Sequence, residues 1–244
     1  MAIKDFTYQN IIKSVYAKEK LLAVLIDPDK FNIANTKSFF EKVKASIVTH
    51  VFVGGSTVED KVTDSVVEAI KQNTSLPVIS FPGDIVQISE KADALLFLSL
   101  ISGRNPEYLI GKHVDAVSRL KDVDLEIVPT GYILIASGKI TAVEQVTKTK
   151  PLSRSDLELI INTARAGELL GMKFMYLEAG SGAEQPLPPE LISAVKNELN
   201  IPLIVGGGVR NKDQLEKTLN AGADMVVIGT AFEENESFFY ELRK

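Results

Sequence analysis

"LIVGGGVR", residues 203–210, runs an apolar stretch straight into three consecutive glycines. Such a cluster costs backbone entropy and adds no side chain to a core. A chain keeps that much bare backbone where main-chain N–H groups must approach something closely. The apolar part reads as a strand buried on both faces, because it does not alternate with polar residues. Seven further runs read the same way: "LLAVLI" (21–26), "HVFVG" (50–54), "PVISF" (77–81), "ALLFL" (94–98), "LEIVP" (125–129), "FMYLE" (174–178) and "MVVIG" (225–229).

Amphipathic segments lie between most of these runs. Helical patterns are clear in "FFEKVKAS", "EDKVTDSVVEAIKQ", "SDLELIINTARAGELL" and "NKDQLEKTLNAGA". In the last, Asn211 is placed to cap with Gln214 at the third helical position, and Gly222 follows the end. After "PVISF" the segment "PGDIVQISEKAD" is too short and polar for a full helix, so an irregular third βα unit is expected. Eight strands in 244 residues, with no linker or low-complexity tract, predict an α/β fold: a single (β/α)8 TIM barrel spanning 1–244, with residues 1–20 as a lead-in helix. An open doubly wound sheet is the alternative with the same pattern.

Composition narrows the function. Apolar residues make up 45% and charged residues 24%, enough for a large core and too balanced for disorder. With no cysteine, a disulfide framework, a thiolate metal site and a cysteine nucleophile are excluded. The N-terminus lacks the basic-then-apolar order of a secretion signal and no apolar run is long enough to span a membrane, so a cytoplasmic location is expected. A net charge of −5 without a basic block argues against a nucleic acid partner, and local donors must hold any anionic ligand.

In a (β/α)8 barrel the loops after the seventh and eighth strands commonly bind phosphate. "GGG" (206–208) ends the seventh run, and "GT" (229–230) ends the eighth. Glycines there admit an oxyanion to main-chain N–H groups, although one such site alone could simply turn the chain. The sequence has neither a P-loop nor G-x-G-x-x-G spacing.

Other candidates share this rim. Tyr176 and Glu178, two apart in the sixth run, face one side of a strand and can point into the barrel mouth. The following "AGSG" adds the Ser181 hydroxyl. Asp27 ends the first run, with Pro28 keeping the chain extended, and Ser56 ends the second; together they offer two oxygens, enough for Mg²⁺ that keeps water and substrate phosphate as its other ligands. Each has a structural alternative: a hydrogen bond for Glu178, a turn for Asp27, a helix cap for Ser56. His50 and His113 read as structural. An apolar trench could be lined by Phe81, Pro82, Leu98, Leu100, Tyr108, Tyr132 and Ile133.

"LIDPDK", "VFVGGST", "FLSLISGRNPEYLIG", "PTGYIL", "YLEAGSG", "IVGGGVR" and "VIGTAFE" occur in order, and over about 21–232 the sequence resembles the geranylgeranylglyceryl phosphate synthase family, in particular its group II, which is related to bacterial heptaprenylglyceryl phosphate synthases. The resemblance implies Mg²⁺-dependent transfer of a polyprenyl group, geranylgeranyl first among them, from its diphosphate to the 3-hydroxyl of sn-glycerol 1-phosphate, the first ether bond of ether-lipid synthesis. By motif, Asp27 and Ser56 would hold the metal. Glycerol phosphate would lie along Tyr176, Leu177, Glu178, Ala179, Gly180, Ser181 and Gly182, with its phosphate at Gly207, Gly208, Gly229 and Thr230. Glu178 would accept the hydroxyl proton and Tyr176 would orient the polyol or face the allylic charge. Some relatives carry lysine where this chain has Leu25.

The resemblance also implies a homo-oligomer, dimer or hexamer, and the lipid product implies transient contact with a membrane surface. Two competitors share the glycine cup. One is a sugar-phosphate isomerase or lyase on the same barrel, and the other is a non-catalytic phosphometabolite sensor.

Overall fold

The computed structural model describes residues 6–55 and 62–243. Eight parallel strands close into a barrel in sequence order: β1 (Leu21–Ile26), β2 (His50–Val53), β3 (Val78–Ser80), β4 (Ala94–Leu100), β5 (Glu126–Leu134), β6 (Phe174–Glu178), β7 (Leu203–Gly206) and β8 (Met225–Ile228). The barrel expectation holds, and pairing of Leu21 with Met225 through Val24 with Ile228 closes the ring. An open sheet is thereby excluded.

Alternation along each strand divides the core into two layers. Leu21, Ala23, Phe174, Tyr176, Ile204 and Val227 fill the barrel interior. Leu22, Val24, Met175, Leu177, Val205 and Val226 face the helices. Both faces are apolar, which is why the runs carry no period-2 polarity.

The helices are α1 (Phe6–Tyr16), α2 (Thr36–Ala45), α3 (Val62–Lys71), α4 (Lys112–Leu120), α5 (Ala142–Thr147), α6 (Leu157–Leu169), α7 (Pro189–Asn197), α8 (Lys212–Asn220), α9 (Thr230–Glu234) and α10 (Phe238–Glu241). Part of the expected lead-in helix is α1, which plugs the N-terminal mouth of the barrel. Its Ile11 joins the interior cluster, and its Thr7 and Tyr8 N–H groups donate to the buried Glu126 carboxylate at 2.7 and 2.8 Å. Helix-start amides thus satisfy a buried charge. No helix among the described residues is long and apolar enough to cross a membrane.

Three local readings are refined. Between β3 and β4 there is only a 3-10 turn, Ile85–Gln87, as the short polar segment predicts. β5 continues five residues past the apolar run's end at Pro129, through Thr130 and Gly131 to Leu134. Asn211 does cap α8, accepting from Gln214 N at 2.9 Å, but Gln214 Oε1 takes the Arg210 N–H at 2.8 Å and so does not complete a capping box.

Candidate functional site

The carboxyl ends of the strands surround one cavity of about 440 Å³. Its centre is β6. Tyr176 points inward, is fully buried, and stacks on Tyr132 (centroids 5.2 Å) and Phe81 (5.3 Å). Glu178, one step further on the same face, ends the strand. Burial raises its carboxyl to about 7, against the opposing help of the Gly180 N–H and the Tyr176 hydroxyl. Gly180 N donates to Glu178 Oε1 at 2.6 Å. Among the described residues the Tyr176 hydroxyl has no partner in hydrogen-bonding geometry, although it lies close enough to favour the ionised carboxylate. Burial, then the Glu178 charge, pushes the Tyr132 and Tyr176 hydroxyls well above their ordinary range, so both remain donors.

β7 packs its glycines against this pair. Gly207 has φ +86°, and a Cβ there would lie 2.5 Å from Glu178 Oε1. Gly208 follows with φ +76°, and the chain turns away from the strand. Among the described residues, the N–H groups of Gly207, Gly208, Gly229 and Thr230 donate to no protein acceptor, and all four residues line the cavity. Unspent amides at two adjacent strand exits are what an oxyanion cup requires. Replacing Gly207 by alanine is expected to weaken phosphate binding at least about tenfold, because strain and the Glu178 contact both deform the cup. Titration calorimetry with inorganic phosphate checks this, with Gly138→Ala as control: Gly138 has φ +84° and open space around its Cβ, so it reports backbone strain alone. Unchanged phosphate affinity in Gly207→Ala would remove Gly207 from the cup.

The 176–182 segment divides. Tyr176, Glu178, Ser181 and Gly182 line the cavity. Leu177 and Ala179, expected along the ligand path, instead place their side chains in the outer core, because strand alternation turns them there. The Gly180 N–H is occupied by Glu178.

Asp27 lies just past β1 and lines the cavity. Its Oδ1 accepts from Asp29 N at 3.2 Å, so the turn-forming role exists alongside the cavity-facing one. Its Oδ2 lies 3.0 Å from Lys30 Nζ, and Lys30 also reaches Glu233 at 3.6 Å. Burial lowers the Lys30 pKa, but the Asp27 and Glu233 contacts outweigh it and the net shift is upward. A Cβ on Gly55 would lie 2.7 Å from Asp27 Oδ1, so the β2 exit packs directly on the carboxylate. Ser56, the other expected metal ligand, lies outside the described residues. Among the described residues no three His, Cys, Asp or Glu side chains gather as a metal cluster. A hard carboxylate oxygen at the cavity wall does suit Mg²⁺, which needs few protein ligands.

The trench is present. Phe81, Pro82, Leu98, Leu100, Tyr108 and Tyr132 line the cavity, whereas Ile133 faces the helix layer and is corrected out of it. β3 pairs with β4 only through Ile79–Ala94 and Ser80–Leu95, so β4 beyond Leu95 has no β3 neighbour. With a 3-10 turn in place of a helix there, the cavity continues outward to Ile85, Ile88 and Ala116.

The two histidines differ. His50, read as structural, is buried beside Thr49 and held down to about 4 by desolvation. His113 was expected to be structural too, yet it lines the trench, with Nε2 3.0 Å from Ser99 Oγ and its ring edge-on to Phe97. The sequence also gave no reason to single out Lys30 or Gly55. Their only signal is position, three residues after Asp27 and one before Ser56.

Fold and site together define a (β/α)8 barrel whose strand-exit glycines and apolar annex share one cavity. The chain belongs to the PcrB family, whose profile matches residues 14–243. It is 57% identical over 226 residues to the geranylgeranylglyceryl phosphate synthase of Zunongwangia profunda, covering 93% of this chain and 96% of that one. It is 52% identical over 232 residues to the protein of the same name from Flavobacterium johnsoniae, covering 95% and 96%. Among solved structures, the (S)-3-O-geranylgeranylglyceryl phosphate synthase of Thermoplasma acidophilum in complex with its substrate sn-glycerol-1-phosphate superposes with a TM-score of 0.90 at 31% identity, covering 99% and 96%. The resemblance read from the motifs therefore holds.

Proposed function

We propose that the protein is a polyprenylglyceryl phosphate synthase, joining C1 of a prenyl diphosphate, geranylgeranyl in the first instance, to the 3-hydroxyl oxygen of sn-glycerol 1-phosphate. The observation that carries this reading is the union, in one cavity, of an open-amide cup and an apolar trench that meet at Tyr176 and Glu178. A sugar-phosphate isomerase would need the cup and not the trench. The named activity of relatives more than half identical to this chain points the same way.

The cup would take the phosphate of the acceptor, leaving its free hydroxyl toward Glu178. The hydroxyl oxygen forms the new bond to C1 as the bond from C1 to the diphosphate breaks, and the electron pair leaves with the diphosphate. The hydroxyl proton passes to Glu178, whose raised carboxyl suits a base working near neutrality. The stacked Phe81, Tyr176 and Tyr132 rings present aromatic surface beside the reacting carbon. Holding both reactants in one cavity supplies the orientation term. Asp27, with Ser56, would hold Mg²⁺, which supplies charge neutralisation for the departing diphosphate.

A homo-oligomer, dimer or hexamer, and brief contact with a membrane surface belong to the same reading. Ile110, Val114 and Val117, exposed along the helical segment after β4, offer apolar surface.

Incubation with Mg²⁺, geranylgeranyl diphosphate and either sn-glycerol 1-phosphate or its 3-phosphate enantiomer tests the proposal. An ether product from the 1-phosphate alone is the expected result. No product at any donor length, together with turnover of sugar phosphates, would transfer the protein to the isomerase or lyase class.

A further inference from the structure

Among the described residues the cavity is lined by three Lys or Arg side chains, and each is already paired. Lys112 is tied to Asp84 and lies over the Tyr108 ring, on the trench side. Arg210 meets Glu234 at 2.6 Å beside the glycine cup. Lys30 rests on Asp27 (3.0 Å) and more loosely on Glu233 (3.6 Å), and its side chain is 59% exposed. Leu25, on the same rim, carries no charge.

The two reactants bring a phosphate ester and a diphosphate into a cavity whose walls already hold Asp27, Asp84, Glu178 and Glu233. That load needs cations. Lys112 and Arg210 have carboxylate partners that no other ligand is expected to claim. Lys30 differs, because its closer partner is the carboxylate assigned to Mg²⁺. A divalent ion on Asp27 would repel the ammonium and take over its oxygen, leaving Lys30 only the longer Glu233 contact. A lysine on a flexible four-carbon stem can then reorient toward phosphate oxygens.

We propose that Lys30 is a donor-diphosphate binding residue that pairs with Asp27 and is released to the diphosphate when a divalent ion takes Asp27. This rests on the transferase reading above. Lys30 supplies from the β1 exit loop the positive charge that Leu25 does not, and it makes metal and donor binding mutually supportive.

The test uses the full chain carrying Lys30→Met or Lys30→Arg, with thermal melting to verify the fold. Mn²⁺ alone, followed by electron paramagnetic resonance, should bind Lys30→Met several-fold more tightly than wild type, since the competing ammonium is gone. Inorganic diphosphate with Mn²⁺ present should bind Lys30→Met at least about tenfold more weakly, and Lys30→Arg should recover most of that loss. sn-Glycerol 1-phosphate affinity should not change. Equal diphosphate affinity in Lys30→Met and wild type, or Mn²⁺ binding no tighter in the variant, would overturn the inference. Absence of ether product from wild type, with these binding shifts intact, would remove the transferase reading and the donor role with it, leaving Lys30 as a metal-gated diphosphate binder only.

Discussion

Glu178→Gln should lower kcat by about 10²- to 10⁴-fold, the usual contribution of a positioned base. The amide can still accept the Gly180 N–H, so glycerol phosphate binding should survive. Wild-type kcat/KM should rise with pH through an acid limb near 7, where the buried carboxyl ionises, and the variant should lack that limb. Stability should move the opposite way. With its folded pKa raised from 4.5 to about 7, Glu178 leaves stability unaffected below 4.5, where both states are protonated. Between those values the unfolded chain loses its proton first, so stability is lost as pH rises through about 7. At pH 8 the glutamine variant should exceed wild type by roughly 3 kcal/mol, and at pH 4 the difference should vanish. Paired melting curves and pH–rate profiles measure both. A variant within tenfold of wild-type turnover would reduce Glu178 to a positioning group.

Asp27→Asn should abolish Mg²⁺-dependent turnover, a fall of at least about 10²-fold, because a neutral amide is a poor ligand for a hard dication. The fold should persist. Asparagine Oδ1 can still accept from Asp29 N, and the lost pairing with an exposed Lys30 is worth at most about 1 kcal/mol. Turnover measured against Mg²⁺ concentration, with melting temperature as control, decides the matter. Unchanged turnover would take Asp27 out of the mechanism.

Most of the barrel was legible because strands buried on both faces leave uninterrupted apolar runs, and all eight lie within or beside observed strands. β5 was read short because Thr130 and Gly131 break its run, although both are held inside the wall by β4, which pairs Leu98 with Thr130 and Ser99 with Gly131. The irregular third unit was visible as a polar segment too short for a helix.

At the site, period-2 spacing correctly put Tyr176 and Glu178 on one face. The same spacing turns Leu177, Ala179 and Ile133 outward, which a motif read as a continuous string does not respect. Lys30 and its bridge to Glu233 were beyond reach. They depend on α9 and the β1 exit loop being neighbours, a closure of first and last strands that no local pattern reports.

The short β3 has a consequence for how such an enzyme can change. Strands three and four stand across the circumference from strands seven and eight, so the two halves of the reaction have separate landlords. Ile85, Ile88 and Ala116, at the window left by the truncated stave, belong to no strand. Mutation there would re-dimension the apolar end of the cavity and leave the glycine exits of β7 and β8, on the far side, unaltered.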